Sequence, residues 1–509
     1  MNNLNHNWLR RLALIVVGLA ALFITRPALA QQALFLPTLS SGSIPLCRLG
    51  VNGAIRDYPI RPLRLGWYMD YQATRFPPPS PGVAYFPMIR LEQVGANSYN
   101  YSIFGNRSAT SLAQLNQVIA AHPGAYWFIG NEPDRIQLQD DLEPHVYALA
   151  YRDLYRIIKD RDPTAKIVAG SIVQPTPVRL RYLDKVLQGY YELTGERMPV
   201  DVWAFHNFIL NEASCNFYPE SQCWGAEIPR GVNVAEGRRF TVEQNIDAEI
   251  FKQQVVAFRR WMADRGYRNT PAFLSEFGVL MPAGIFFSSL PHGPETDFFS
   301  EARVNAFMNE TIRYVLNAQD PEIGYPGDNN RLIQRLAWYS VEDSILHNGY
   351  LFDLSRPPAT ARTGMGTNFA QLAASIPLET DFYPTRLALV GPPPVAAHGA
   401  TTLTLEAVIT NAGNSAVNQQ ATVRFYAGDP AAGGVQIGSD KIVRLQGCGT
   451  QTTVRIIWPD VAPGDYQVFV VVSSAQTEAS VANNRLSTQV RFVTQQLFLP
   501  STQGSLNVR

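Results

Sequence analysis

Between residues 63 and 342, short apolar runs alternate with longer amphipathic stretches. The apolar runs at 63–68, 85–91, 125–130, 166–171, 200–207, 271–277 and 335–341 have the length and bulk of buried strands. A weaker candidate covers 99–104. Between several of them the period becomes helical. Residues 142–159 bring Tyr147, Tyr151, Leu154 and Ile158 onto one face, and 242–265 do the same with Ile246, Ile250, Val256 and Trp261. Strands alternating with helices predict βαβ units and a parallel sheet. Seven clear strands and one weak one suit a (β/α)8 TIM barrel over residues 57–377. An open doubly wound sheet is the competing α/β arrangement, but no strand runs into a G-x-G-x-x-G turn.

After Pro377 the helical period disappears, and Thr, Val, Gly and Asn dominate. Short strands are predicted at 402–409, 421–426, 441–445, 452–457, 466–472 and 487–493. Turn signals separate them: Asn411-Ala412-Gly413-Asn414, Gly433-Gly434 and Pro463-Gly464-Asp465. This spacing predicts an all-β, Ig-like sandwich over 378–495. A short tail, 496–509, follows it, and an extension, 31–56, precedes the barrel. The extension and the end of the chain share a near-repeat, Gln31-Gln32-Ala33-Leu34-Phe35-Leu36-Pro37 and Gln495-Gln496-Leu497-Phe498-Leu499-Pro500. Each copy suits an edge strand or a surface-sorting element.

Arg10 and Arg11, an apolar run over 12–23 and Ala28-Leu29-Ala30 match a secretory signal peptide over 1–30. The run is shorter than the roughly 20 residues needed to span a bilayer, so the expectation is a cleaved, secreted chain with no membrane span. The 509 residues carry 42 basic and 42 acidic side chains, which argues against a nucleic-acid partner. Four cysteines fit an oxidising compartment. Cys215 and Cys223 bracket a short polar loop and are the expected disulfide; Cys47 and Cys448 would join distant parts of the chain, and that pairing is not favoured. No Cys/His cluster has metal-ligand spacing, and Asp429, Asp440 and Asp465 are scattered like ordinary turn residues, so neither metal nor cofactor is expected.

Two apolar strands end in a carboxylate. Tyr126-Trp127-Phe128-Ile129-Gly130 runs into Asn131-Glu132-Pro133-Asp134, where Pro133 stops the ladder. Ala272-Phe273-Leu274-Ser275 delivers Glu276 just before Phe277-Gly278. The carboxyl rim is where barrel enzymes hold their chemistry, and a Glu at the end of a buried run is costly unless paired or used. Each could simply pair with a rim arginine such as Arg90 or Arg135. Two together point to glycosidic-bond hydrolysis, with one carboxyl as acid and the other as nucleophile or base.

Gly130-Asn131-Glu132-Pro133 followed by Leu274-Ser275-Glu276-Phe277 resembles the clan A retaining glycoside hydrolases. With Gly66-Trp67-Tyr68, Phe86-Pro87-Met88 and Asp201-Val202-Trp203-Ala204-Phe205-His206, the set resembles the glycosyl hydrolase catalytic-core family of the alkali-sensitive-linkage-protein type, which includes β-1,3-glucanases. The likeness covers residues 63–376, counting a closing segment of Gly349-Tyr350-Leu351-Phe352-Asp353 with Thr363-Gly364-Met365-Gly366. It implies Glu132 as general acid/base, Glu276 as nucleophile and Asn131 as the partner of a sugar 2-hydroxyl. His206, Trp338 and Trp67 would line the cleft and bind substrate; a core histidine and ordinary barrel packing are the alternatives. One position departs from the pattern: Phe208 stands where many clan A enzymes have a tyrosine that holds the nucleophile. Tyr339 or Ser340 would have to supply that hydroxyl.

Residues 411–414, 425–429, 463–466 and 483–484 of the C-terminal part resemble CARDB-type Ig-like domains. The resemblance implies a spacer or binding module, with cell-surface or matrix contact through it. The expected activity is hydrolysis of a β-glucan-like polysaccharide. The rival is a non-catalytic carbohydrate-binding or adhesion protein on a glycosidase scaffold. No G-x-S-x-G elbow supports a serine hydrolase.

Overall fold

The structure is a computed structural model. It describes residues 44–77, 82–95, 98–105, 109–213, 225–281, 297–342, 349–391, 395–396 and 400–494. The expected signal peptide, the two Leu-Phe-Leu-Pro segments and the pair Cys215 and Cys223 lie outside these residues.

Parallel strands form a ring. β1 (Leu46–Asn52) pairs with β2 (Leu65–Met69), and β2 with β3 (Ala84–Tyr85). β4 (Met88–Gln93) continues β3 after a two-residue break at Phe86-Pro87, where Pro87 lacks the donor a ladder needs. The break is bridged on both sides: Phe86 N–H donates to Tyr68 O at 3.0 Å, and Phe128 N–H to Pro87 O at 2.9 Å. The ladder then runs from β4 through β6 (Tyr126–Ile129), β7 (Lys166–Ile172), β8 (Val202–His206), β9 (Ala272–Phe277) and β10 (Arg335–Trp338) back to β1. With β3 and β4 counted as one stave, eight staves close a TIM-barrel-like sheet.

Two expectations are corrected here. The strand expected within 99–104 is β5 (Tyr101–Phe104), but it pairs antiparallel with β4 outside the ring. The remaining stave is β1, inside the segment read as an extension. Its apolar run is interrupted by Arg48, which resembles a surface residue in the sequence. In the fold Arg48 is buried and held by both oxygens of Asp328 at 2.7 Å.

The interior of the ring is filled by Trp67, Met69, Phe86, Met88, Phe128, Val168, Val202, Ala204, Phe273 and Ala337. A larger core lies between the staves and the helices α1 (Leu112–Ala121), α2 (Pro144–Arg161), α3 (Pro177–Thr194), α4 (Ala248–Asp264), α5 (Glu301–Asn317) and α6 (Gly364–Ser375). The expected face of α2 is the buried one: Tyr147, Tyr151, Leu154 and Ile158. On α4 the buried stripe is Phe251, Val255, Phe258 and Met262 together with Trp261, while Ile250 and Val256 flank it. The helix starts at Ala248, where the Asp247 side chain accepts from the N–H groups of Glu249 and Ile250, so the stripe is phased from there.

The C-terminal strands form two sheets, β11 (Phe382–Leu389), β13 (Thr401–Asn411) and β16 (Thr450–Val461) in one. The other holds β12 (Val395–Ala396), β18 (Arg485–Thr494), β17 (Gly464–Ser474), β14 (Gln419–Ala427) and β15 (Val435–Leu445). All pairings are antiparallel except β12 with β18. Leu405 and Val454 from the first sheet and Val423, Val468 and Phe492 from the second share one apolar core. All six expected strands are present; β11 and β12 lie outside them.

These sheets are fastened to the amino ends of the staves. Cys47 and Cys448 form a disulfide, contrary to the expectation from sequence separation. Beside it, Cys47 N–H donates to Asn414 O at 2.9 Å and Ala416 N–H to Pro45 O at 2.9 Å. The opposite end of the barrel carries the carboxyl termini of the staves.

Candidate active site

Glu132 is positioned by an unusual stretch of backbone after β6. Gly130 has φ +78°, and a Cβ there would meet Tyr147 at 3.1 Å and Asp140 at 3.3 Å. Glu132 itself has φ +43°, a left-handed conformation that costs a side-chain-bearing residue of order 1 kcal/mol. Surrounding bonds hold it there. Glu132 N–H donates to Ser171 O at 2.9 Å, and Asp134 Oδ1 accepts from Val173 N–H at 3.2 Å. Arg179, fully buried, donates to Asp134 Oδ2 at 2.6 Å and to Glu212 Oε1 at 2.8 Å. Asp134 is thus an anchor of the turn that carries Glu132.

Glu276 arrives from the other side of the ring. In the ladder His206 stands opposite Glu276, after an irregularity that shifts the register between Phe205 and His206. His206 Nδ1 lies 2.9 Å from Glu132 Oε1 and 3.7 Å from Glu276 Oε2. One oxygen of each glutamate and a nitrogen of His206 all lie within 4.8 Å of one another. Two carboxylates far apart in sequence therefore face each other, both nearly shut off from water.

Their environments differ. Burial alone would raise the pKa of Glu132, but the Arg135 guanidinium (Nη1 to Oε2, 3.3 Å) and the His206 hydrogen bond outweigh it and hold the carboxyl below the usual range. Burial also raises Glu276; its neighbour His206 pulls the other way, but Glu132 adds to the rise, and the value climbs to about 7. His206 is destabilised as a cation by burial, yet the two glutamates raise its pKa on balance. The pair titrates as a unit, with Glu132 pulled below the usual carboxylate range and Glu276 pushed above it.

Tyr71 supplies a hydroxyl to Glu276. Its Oη donates to Glu276 Oε2 at 2.7 Å. Burial, and then the charge of Glu276, push Tyr71 well above its ordinary pKa of 10, so it stays a donor. Tyr71 lies beyond the end of β2 with φ +59°, a loop position no periodicity marks. Tyr339 sits close by, edge-on to Phe208 at 6.0 Å between ring centroids.

The other expected site residues fare unevenly. His206 is in the site, fully buried, with Nδ1 on the carboxylates rather than on backbone. Asn131 precedes Glu132; its Nδ2 donates to Gln139 Oε1 at 3.1 Å, and its Oδ1 is buried without a hydrogen-bond partner. Trp338 is corrected: it faces the helices, fully buried, with Nε1 bonded to Gly349 O at 2.7 Å and Phe277 edge-on at 5.3 Å. Trp67 is corrected too. It packs inside the ring against Phe86 at 4.9 Å, so close to β1 that a Cβ on Gly50 would fall 2.3 Å from it. Neither ring can reach a sugar without repacking.

Glu132, His206 and Glu276 are also the one group among the described residues whose donors lie close enough for a metal ion. The 2.9 Å contact between Nδ1 and Oε1 has hydrogen-bond length. In the C-terminal sheets Asp429, Asp440 and Asp465 pair with Arg485, Arg424 and Arg491.

No family model matches the chain, and no curated protein matches it. Among solved structures, a glucosidase from Croceicoccus marinus overlaps with TM-score 0.40 at 12% identity, covering 86% of this chain and 97% of that one. A monomeric beta-xylosidase from Caulobacter crescentus gives TM-score 0.39 at 11% identity over 82% and 97%. A CARDB domain from Pyrococcus furiosus, in complex with di-metal ions, gives 0.19 at 18% identity over 23% and 96%. Superpositions this loose carry no argument about function; the chemistry of the buried carboxylates does.

Proposed function

We propose that the chain is a secreted glycoside hydrolase that cleaves O-glycosidic bonds of a β-glucan-like polysaccharide with retention of configuration. The observation that carries this reading is the facing pair, with oxygens of Glu132 and Glu276 within 4.8 Å. Carboxyl groups about 5 to 5.5 Å apart allow direct attack on the anomeric carbon, whereas an inverting pair stands roughly 6.5 to 9.5 Å apart to admit water.

In the first step a Glu276 oxygen bonds to the anomeric carbon as the glycosidic C–O bond breaks. Glu132 gives its proton to the departing oxygen. In the second step Glu132 takes a proton from water, whose oxygen displaces Glu276 and restores both groups. This cycle starts with the proton on Glu132, although burial and the charge of Glu132 raise the pKa of Glu276. His206 Nδ1 stands between the two carboxylates, hydrogen-bonded to Glu132 at 2.9 Å and 3.7 Å from Glu276. Asn131, with its buried Oδ1 unbonded, is suited to a sugar 2-hydroxyl. The paired β-sheets serve as an accessory Ig-like module that contacts the cell surface or matrix, and the leader over 1–30 directs export.

A second assignment follows the directions of the two pKa shifts: Glu276 as acid and Glu132 as nucleophile. Release of reducing sugar from β-glucans, mannans, galactans and xylans tests the hydrolase, comparing wild type with Glu132→Ala and Glu276→Ala. Loss of at least about a thousandfold in both variants is expected. Activity that survives both substitutions removes the pair from the mechanism. Polysaccharide binding without hydrolysis by wild type establishes the non-catalytic alternative.

A further inference from the structure

A cavity of about 470 Å³ opens at the amino ends of the staves, the end of the barrel opposite Glu132 and Glu276. Its wall includes Tyr85, His122, Tyr126 and Arg335 from the barrel and Ala416 and Gln446 from the C-terminal sheets. The volume is that of a small-molecule site, and seams between domains are favoured places for one.

Arg335 gives the cavity its chemistry. It begins β10 facing the ring interior, 7% exposed, and among the described residues no carboxylate forms an ion pair with it. The carboxylate whose charge acts on it, Asp328, is already held by two 2.7 Å bonds to Arg48. The guanidinium instead lies over Tyr126, Phe86 and Phe273, 5.3 to 5.7 Å from the ring centroids, and donates to Cys47 O and to the Tyr126 hydroxyl. Ring faces, a neutral phenol oxygen and a carbonyl soften the burial of a cation but do not neutralise it. Guanidinium is always charged, and its fork of donors matches the two oxygens of a carboxylate, sulfate or phosphate.

We propose that this cavity binds the oxyanion group of a monosaccharide-sized ligand, with Arg335 as the anion partner and the exposed edge of Tyr126 beside the ligand's body. The site is independent of the hydrolase reading, since it shares no residue with the carboxylate pair. Isothermal titration of the full mature chain with sodium glucuronate, sodium sulfate and glucose tests it. Saturable one-to-one binding of glucuronate is expected, with none for glucose. Glucuronate at least about tenfold tighter than sulfate assigns an organic acid, and equal affinity assigns a free inorganic oxyanion.

Arg335→Gln is expected to weaken binding by at least about tenfold. Because that change touches the core, Gln446→Glu provides a second readout: it adds a negative charge at the exposed rim and should weaken binding similarly while leaving the melting temperature unchanged. Glu276→Gln should leave binding intact. No saturable binding of either anion by about 10 mM overturns the proposal. Binding that survives Gln446→Glu and Arg335→Gln but is lost in Glu276→Gln overturns it as well, by placing the anion in the catalytic cleft.

Discussion

Replacing Glu276 by Gln should destroy activity and stabilise the protein, and the size of the stabilisation follows from the site. Glu276 is 6% exposed and faces Glu132, and its pKa rises from an ordinary 4.5 to about 7. Each pKa unit corresponds to about 1.4 kcal/mol, so keeping Glu276 ionised in the fold costs about 3 kcal/mol. The sign follows from linkage. A folded pKa above the unfolded one means a contribution fully present below pH 4.5 and lost as pH rises through about 7. The glutamine keeps the shape, removes the charge and leaves Tyr71 an oxygen to donate to. Glu276→Gln should therefore match wild type near pH 4.5 and exceed it by about 3 kcal/mol at pH 8. With an unfolding entropy of about 2.1 cal/mol/K per residue over roughly 480 residues, that becomes about 3 °C in Tm. Scanning calorimetry at the two pH values measures it. A variant less stable than wild type at pH 8, or the same Tm difference at both pH values, would refute the reasoning.

Tyr71→Phe removes a bond to a charged acceptor worth about 1.5 to 3 kcal/mol, so kcat/KM should fall roughly ten- to a hundredfold, and the alkaline limb of the pH profile should move upward from about 7 because Glu276 holds its proton more tightly; an unchanged profile would show that Tyr71 does not hold Glu276. Arg179→Met strands Asp134 and Glu212 as buried charges and should cost about 3 to 5 kcal/mol in urea unfolding, with a loss of kcat from the loosened Glu132 turn. The bond between Cys47 and Cys448 spans 401 residues of sequence, and chain entropy sets a ceiling of about 6 kcal/mol on its contribution. Cys47→Ser with Cys448→Ser should lower Tm by a few degrees.

The periodicity carried seven staves, the buried face of α2 and the positions of Glu132 and Glu276, because buried strands and a helix stripe leave local signals. What it could not carry depends on closure of the ring. β1 was hidden by Arg48, whose charge belongs in the core only because Asp328, 280 residues away, accepts it. Staves buried on both faces do not alternate apolar with polar, so the inward Trp67 and the outward Trp338 look alike until the register is set. Tyr71 has no local pattern at all; its role exists only where the loop after β2 reaches β9. Four cysteines permit three connectivities, and local spacing said nothing about the seam that joins Cys47 to Cys448.

The division of labour between the two glutamates can be read from a covalent intermediate. Incubation with a 2-deoxy-2-fluoro-β-glycoside carrying a good leaving group, followed by proteolysis and mass spectrometry, should find the sugar ester on the peptide bearing Glu276, with the anomeric configuration retained in the released product. An ester on Glu132 would reverse the roles. A product of inverted configuration with no labelled peptide would contradict the double displacement altogether.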